Sequence, residues 1–325
     1  MRIGLKALLL CAAMAIVWSN TGLVAAPPPT RSYAAGRFAL EIEGNIVGSV
    51  TGAEGGLAFG EVVREPSEDF FFKKHLGNAG FRDIRLEFGA DMDKSFYNSI
   101  ALALQGQLVR LNGAILGADF NNNVVSRLEF QDALITEVGF PAADAASKDV
   151  VRLSIVLSPD RTALNRKPSG KLNLKSTITQ KKWLSSTFRL TIDGVDTKRV
   201  TKIDALTIKL PRLRFGDEVA CLHCENLSGP AQVDFPDLVV TTGEPADSWY
   251  DWFEGFVVQG NNDDSQEKGG TLEYLASDLK TVLFTIKFRN LGIFELMPVA
   301  VDAGGSSVPR LLAAMYCESM ELLVP

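Results

Sequence analysis

Histidine and cysteine are scarce in this chain of 325 residues, which carries two of the first and four of the second. A scaffold built on disulfides is excluded by that count. The histidines, His75 and His223, fall at unrelated places in the sequence. No Gly-x-Ser-x-Gly elbow and no phosphate-cradling glycine loop opening a helix occurs. The expectation is therefore a protein that is not an enzyme, with no catalytic residues, no cofactor and no metal. Long hydrophobic runs are missing too: past residue 17 nothing approaches the ~20 apolar residues of a membrane-spanning helix, so no transmembrane segment is expected in the mature chain. Positive charge is in deficit, with a net charge of −6, and an acidic surface repels phosphate backbones. Nucleic acid is not an expected partner.

The N-terminus reads as a targeting segment. Arg2 and Lys6 precede an apolar run over residues 8–17, and the small residues Ala25 and Ala26 follow. Residues 1–26 are read as a signal peptide. The cut is uncertain between 25 and 35, because Pro27, Pro28 and Pro29 crowd the first small-residue site. The expected location is exported, periplasmic or extracellular. Leu9-Leu10-Cys11 faintly suggests a lipoprotein cysteine, but the apolar run continues past it.

The rest of the chain repeats itself. The stretch 38-FALEIEGNIVGSVT-51 corresponds to 188-FRLTIDGVDTKRVT-201, each alternating apolar and polar residues into a turn glycine, Gly44 or Gly194. The stretch 81-FRDIRLEFGADMDKSFYNSI-100 corresponds to 235-FPDLVVTTGEPADSWYDWFE-254, a strand ending at Gly89 or Gly243 and running into a helix. Asp91 and Glu244 are the expected caps and Pro245 the expected first helical residue. The apolar stripes are Phe96, Ile100, Leu104 and Trp249, Phe253, Val257. A third pair, 128-LEFQDALITEVGFP-141 and 284-FTIKFRNLGIFELMP-298, and closing strands near 150–157 and 311–324 complete the plan. The organisation expected is a tandem duplication: a first domain over 36–158, a basic linker over 159–182 and a second domain over 183–325. The linker region has seven Lys/Arg against one acidic residue and is read as solvated.

Four local features stand out. Cys221 and Cys224 flank His223 and could close a small disulfide loop, remain thiols or hold a metal, and Cys317 is left over for an intermolecular bond. The oxygen-rich 119-DFNNN-123 is read as an asparagine turn, since the glycine and terminal glutamate of a calcium loop are missing. Phe70, Phe71 and Phe72 cannot all point inward on a strand, so they suit either a subunit contact or a locally buried loop. Trp252 has only Ser99 as its counterpart, which leaves it free to touch a ligand or partner.

Each copy resembles the tail tube protein family of contractile phages, which is related to Hcp-type tubes and to the tubes of extracellular injection systems. Phe38, Leu40, Ile42 and Gly44 match its opening strand and turn; His75-Leu76-Gly77 falls where the family has Leu-Pro-Gly. Asp83, Ile84, Leu86 and Gly89 match the strand before its helix, and Phe130-Gln131-Asp132-Ala133 with Phe140-Pro141 its closing segment. The resemblance implies a mainly β fold: two tandem β-barrel or sandwich domains, each with one flanking α-helix. It also implies self-association into rings, pseudo-hexameric trimers or tubes, other tube or baseplate-like proteins as partners, and excursions over 60–80 and 210–231 that reach a neighbour. Phe70, Phe71, Phe72, His75, Phe215 and His223 lie on those excursions. The alternative is a monomeric module whose exposed aromatics contact a glycan or peptide.

Overall fold

The structure is a computed structural model. It describes residues 36–67, 70–173, 183–210, 232–299 and 309–324, with the backbone of 212–215 and 227–230. Residues 1–26 and the Cys221, His223 and Cys224 cluster lie outside the described residues.

The first half of the chain forms β1 (Arg37–Ile42), β2 (Asn45–Val50), β3 (Gly52–Gly55), a hairpin of β4 (Ala58–Glu65) and β5 (Lys73–Phe81), and β6 (Ile84–Phe88). Helix α1 (Lys94–Leu104), β7 (Arg110–Ala118), β8 (Val124–Phe140), the short β9 (Ala143–Asp144), β10 (Leu153–Ser158) and β11 (Arg161–Asn165) follow. The second half forms β12 (Phe188–Ile192), β13 (Val200–Ile203), β14 (Leu206–Lys209), a hairpin of β15 (Arg212–Phe215) and β16 (Leu227–Pro230), and β17 (Leu238–Gly243). It ends with α2 (Asp247–Phe253), β18 (Lys268–Leu275), β19 (Val282–Val299) and β20 (Arg310–Leu323). The protein is mainly β.

Two large sheets share one strand order. The first runs β1-β7-β8-β10-β6-β3 with β2 outside β1; the second runs β12-β18-β19-β20-β17-β13. Local details recur at corresponding places. Gly44 and Gly194 turn the first strand of each half at φ 78° and 72°, a conformation that glycine adopts without steric cost. Asp132 and Asn290 both sit at positive φ, where Asp and Asn are the tolerated residues. Four residues later each long strand bulges against its neighbour, at Thr136 and at Phe294. Phe130 pairs across to Gly113, and Phe288 across to Gly270.

One hydrophobic cluster runs through both sheets. Phe88, Phe96 and Tyr97 continue into Phe284 of the second sheet, with Tyr97 and Phe284 ring centroids 5.0 Å apart. Trp183 stacks on Tyr274 and Phe284, and the Tyr274 hydroxyl donates to the Pro141 carbonyl at 2.9 Å.

Three sequence expectations are corrected. The helix caps lie further along: Asp93, not Asp91, accepts from the Ser95 N–H at 2.8 Å, and α2 begins after Ala246, with Glu244-Pro245 a cis pair before it. The α2 stripe is Trp249, Trp252 and Phe256 instead of Trp249, Phe253 and Val257. At 3.6 residues per turn, steps of three and four from Trp249 to Trp252 to Phe256 stay on one face, whereas repeated steps of four drift off it; past Phe253 the helix widens into a π turn over Glu254–Val258, closed by the Gln259 N–H on the Glu254 carbonyl. Finally, part of the solvated linker is structure. Strand β11 pairs with β8, and Leu172 is buried against Ala39, Ala114 and Leu116.

Candidate assembly surfaces

Alternation decides which strands can offer an edge. In β1, Ala39 and Leu40 are buried and the edge groups are taken on one side by β2 and on the other by β7. The β4–β5 hairpin is different: among the described residues its two strands pair only with each other. A lone two-stranded hairpin is marginally stable in water, and this one shows apolar side chains to solvent, namely Leu57, Phe59, Val62 and Leu76. At its tip Phe70, Phe71 and Phe72 are 101%, 79% and 61% exposed, so none forms a buried loop core. Arg82 sits over the Phe59 ring at 4.5 Å, and the His75 Nε2 is 3.8 Å from Glu65. The surface is an apolar arm with charged flanks, the kind of patch that monomeric proteins seldom leave uncovered.

The corresponding region of the second half behaves otherwise. Strand β14 leaves its own sheet and pairs antiparallel with the end of β8, Leu206 opposite Phe140 and Lys209 opposite Glu137. The Leu210 N–H extends this ladder to the Thr136 carbonyl at 2.8 Å. In exchange β9 pairs with β13. Leu206, Ile208 and Leu210 are buried at this seam. Beside it, a cavity of about 840 Å³ is lined by Glu54, Arg82, Asp83, Arg85, Glu137 and Lys209 among others. The Arg85 guanidinium donates to Glu137 at 3.0 Å across its wall. Phe215 closes β15, the strand that continues from β14.

Trp252 is not displayed. It is 7% exposed, tilted against Trp249 at 6.4 Å and edge-on to Phe256 at 6.4 Å, with the Lys268 ammonium 5.4 Å from its ring. At the place of Ser99, Trp252 follows the buried Trp249 by three residues and so shares the inward face of α2. Trp252 does line a cavity of about 310 Å³ with Ser248, Asp251, Asn261, Gln266 and Lys268, and its indole N–H has no hydrogen-bond partner among the described residues. Trp249 donates to the Asp196 carbonyl at 3.0 Å.

The intermolecular bond considered for Cys317 is not supported by its setting. Cys317 is a buried residue of β20, opposite Leu291 of β19, and its thiol lies 3.1 Å from the Ser319 carbonyl and 3.5 Å from that of Arg289. Desolvation pushes the thiol up to about 11, and only the thiolate reacts. Iodoacetamide at pH 8 should therefore leave Cys317 unmodified in the native protein and label it fully in denaturant. Native labelling as fast as that of an exposed thiol, read by peptide mass spectrometry, would show that β20 opens. The 119–123 segment is the turn expected: Asp119 accepts from the Asn121 and Asn123 N–H groups at 2.9 and 2.8 Å, and these bonds hold its carboxyl below the usual range, that of the Asn123 side chain most of all. No group of three or more His, Cys, Asp or Glu gathers for a metal among the described residues, and no helix among them is long and apolar enough to cross a membrane.

No protein-family model and no curated protein matches the chain. Among solved structures it is similar to a chain of the sheath–tube complex of an extracellular contractile injection system, PVC, in its extended state, at 18% identity and a TM-score of 0.36, covering 44% of this chain and 94% of that one. It is similar to a chain of the sheath/tube terminator of the same system at 19% identity and TM-score 0.33, covering 44% and 99%. A third likeness is to the tube-terminating cap of the anti-feeding prophage, at 13% identity and TM-score 0.32, covering 48% and 97%. Overlaps of this quality establish neither a shared assembly nor a shared activity.

Proposed function

We propose that this chain is an exported structural protein made of two tail-tube-like halves, residues 36–158 and 183–325, that arose by tandem duplication. It adds to copies of itself in rings, three chains giving six halves, or in tubes, and performs no catalysis of its own. Other tube or baseplate-like proteins are its natural partners, and the leader over residues 1–26 sends it to the periplasm or beyond. The observation that carries this reading is the seam: the second half already adds to an edge of the first through β14 and β8, so halves of one strand order associate edge to edge within a single chain. The shared order of the two sheets and the sequence blocks that resemble tube proteins support it.

Electron microscopy and mass photometry of the purified protein test it. Rings or stacks whose mass is a multiple of the chain are expected. A particle that stays monomeric at every concentration would overturn it. The second reading, a monomeric periplasmic or extracellular module that contacts a glycan or peptide, is favoured by the cavity that Trp252 lines with Ser248, Asp251 and Asn261. A monomer whose tryptophan fluorescence shifts on adding an oligosaccharide would select it.

A further inference from the structure

The seam inside the chain has two sides, and each half has one copy of each side. At the internal boundary the donor segment is 206–210 of the second half, and the acceptor is 136–140 of the first half. The backbone correspondences identify their counterparts. Lys209 bridges Asp234 as Phe59 pairs with Gly80, which makes 56–60 the counterpart of 206–210. The bulges at Thr136 and Phe294 make 294–298 the counterpart of 136–140.

Both counterparts are open, the arm's over residues 57–60, since Gly56 is engaged within the chain through its N–H on the Asp83 carbonyl and its carbonyl under the Thr162 hydroxyl. Strand β18 accompanies β19 only as far as Leu291; beyond it, on that side, 294–298 has no strand beside it among the described residues, and Phe294 and Met297 are exposed. On the arm, the Arg82 N–H donates to the Leu57 carbonyl, so Leu57 and Phe59 turn their backbone groups to β5. Alternation then turns those of Ala58 and Gly60 to the outer edge, as it turns those of Ile208 and Leu210 to β8. A third feature agrees. Tyr97 of α1 is 2% exposed, covered by Phe284 of the other half, whereas its counterpart Tyr250 of α2 is 44% exposed.

We infer that the occupant of both open sides is a second copy of this chain: the base of its β4–β5 arm, residues 57–60, pairs antiparallel with residues 294–297 of β19 in its neighbour, repeating the β14–β8 seam between molecules. The register places Leu57 opposite Met297 and Phe59 opposite Glu295. The ladder ends at Pro298, which has no N–H to donate. The contact is heterologous, each chain giving one donor and one acceptor, so it closes into a ring or propagates as a filament. It rests on the self-association proposed above and specifies the surfaces that make it.

Two variants, Leu57→Cys and Met297→Cys, are mixed and oxidised, so that only a bond between molecules can join the new thiols. Leu57 and Met297 would form a non-hydrogen-bonded pair, whose Cα atoms lie about 4.5 Å apart, within disulfide reach. The expected result is a disulfide-linked dimer in the mixture, with peptides 57 and 297 joined by mass spectrometry, and no such species in either variant alone. In parallel, Met297→Lys, a charge on the edge, should abolish assembly while the circular dichroism and melting curve stay those of the parent. Assembly that survives Met297→Lys with no 57–297 link would overturn this pairing and leave self-association standing through another surface. A parent protein that is monomeric throughout would overturn both.

Discussion

Truncating Trp249 to alanine should remove about 3–5 kcal/mol of unfolding free energy, the usual range for a fully buried Trp or Phe. Its ring has no exposure at all, it touches Trp252, and its N–H holds the Asp196 carbonyl, so the variant leaves both a cavity and an orphaned acceptor. Phe96→Ala in α1 should fall in the same range, since that ring is 2% exposed and packs edge-on to Phe88 at 5.4 Å. The control is Val257→Ala. The sequence stripe puts Val257 inside, but Val257 is exposed, and a surface substitution stays within about 0.5 kcal/mol. Denaturant midpoints at constant slope read all three. A loss below about 1 kcal/mol for Trp249→Ala, or one of several for Val257→Ala, would mean that α2 does not pack as described.

That pair of residues marks where the sequence stops being legible. A strand betrays itself by alternation and a tight turn by its glycine, so Phe38 to Gly44 and its counterpart at Phe188 to Gly194 could be read directly. The existence of both helices followed from residues spaced four apart. Their inner faces did not follow as surely, because strict four-residue steps drift off a 3.6-residue face, and the apolar residues at 249, 252, 253, 256 and 257 fit more than one stripe. Caps failed for a related reason: Asp91 and Asp93 are equally good candidates by composition, and only the backbone chooses between them. The seam was the least legible. Leu206, Ile208 and Leu210 alternate as an ordinary strand does, and nothing in that pattern says that the partner is β8 of the other half. That Phe70, Phe71 and Phe72 form no buried loop was not legible either, because it depends on the arm having no third strand beside it among the described residues.

Alanine at Gly113 should be the most damaging single methyl group in the first sheet. A Cβ there would lie 2.0 Å from the Glu41 carbonyl oxygen and 2.8 Å from the Phe130 ring. The backbone oxygen belongs to the neighbouring β1 ladder and cannot rotate away, so relief requires parting β1 from β7 or expelling Phe130, itself 1% exposed. Overpacking of this kind costs about 3 kcal/mol or more where nothing flexible yields. Gly270 occupies the same place in the second sheet, opposite Phe288 in the β18–β19 register, but a Cβ there would meet the Thr191 carbonyl oxygen at 2.9 Å and the end of Leu291 at 3.2 Å, not the Phe288 ring. Gly270→Ala should therefore be milder, about 1–3 kcal/mol. Thermal and denaturant unfolding of the two variants would give the order Gly113→Ala worse than Gly270→Ala, both destabilised. A neutral Gly113→Ala would be incompatible with the β1–β7–β8 register. A neutral Gly270→Ala beside a damaged Gly113→Ala would mean that this glycine no longer constrains the second sheet, and that the two halves, alike in strand order, differ in how their cores are locked.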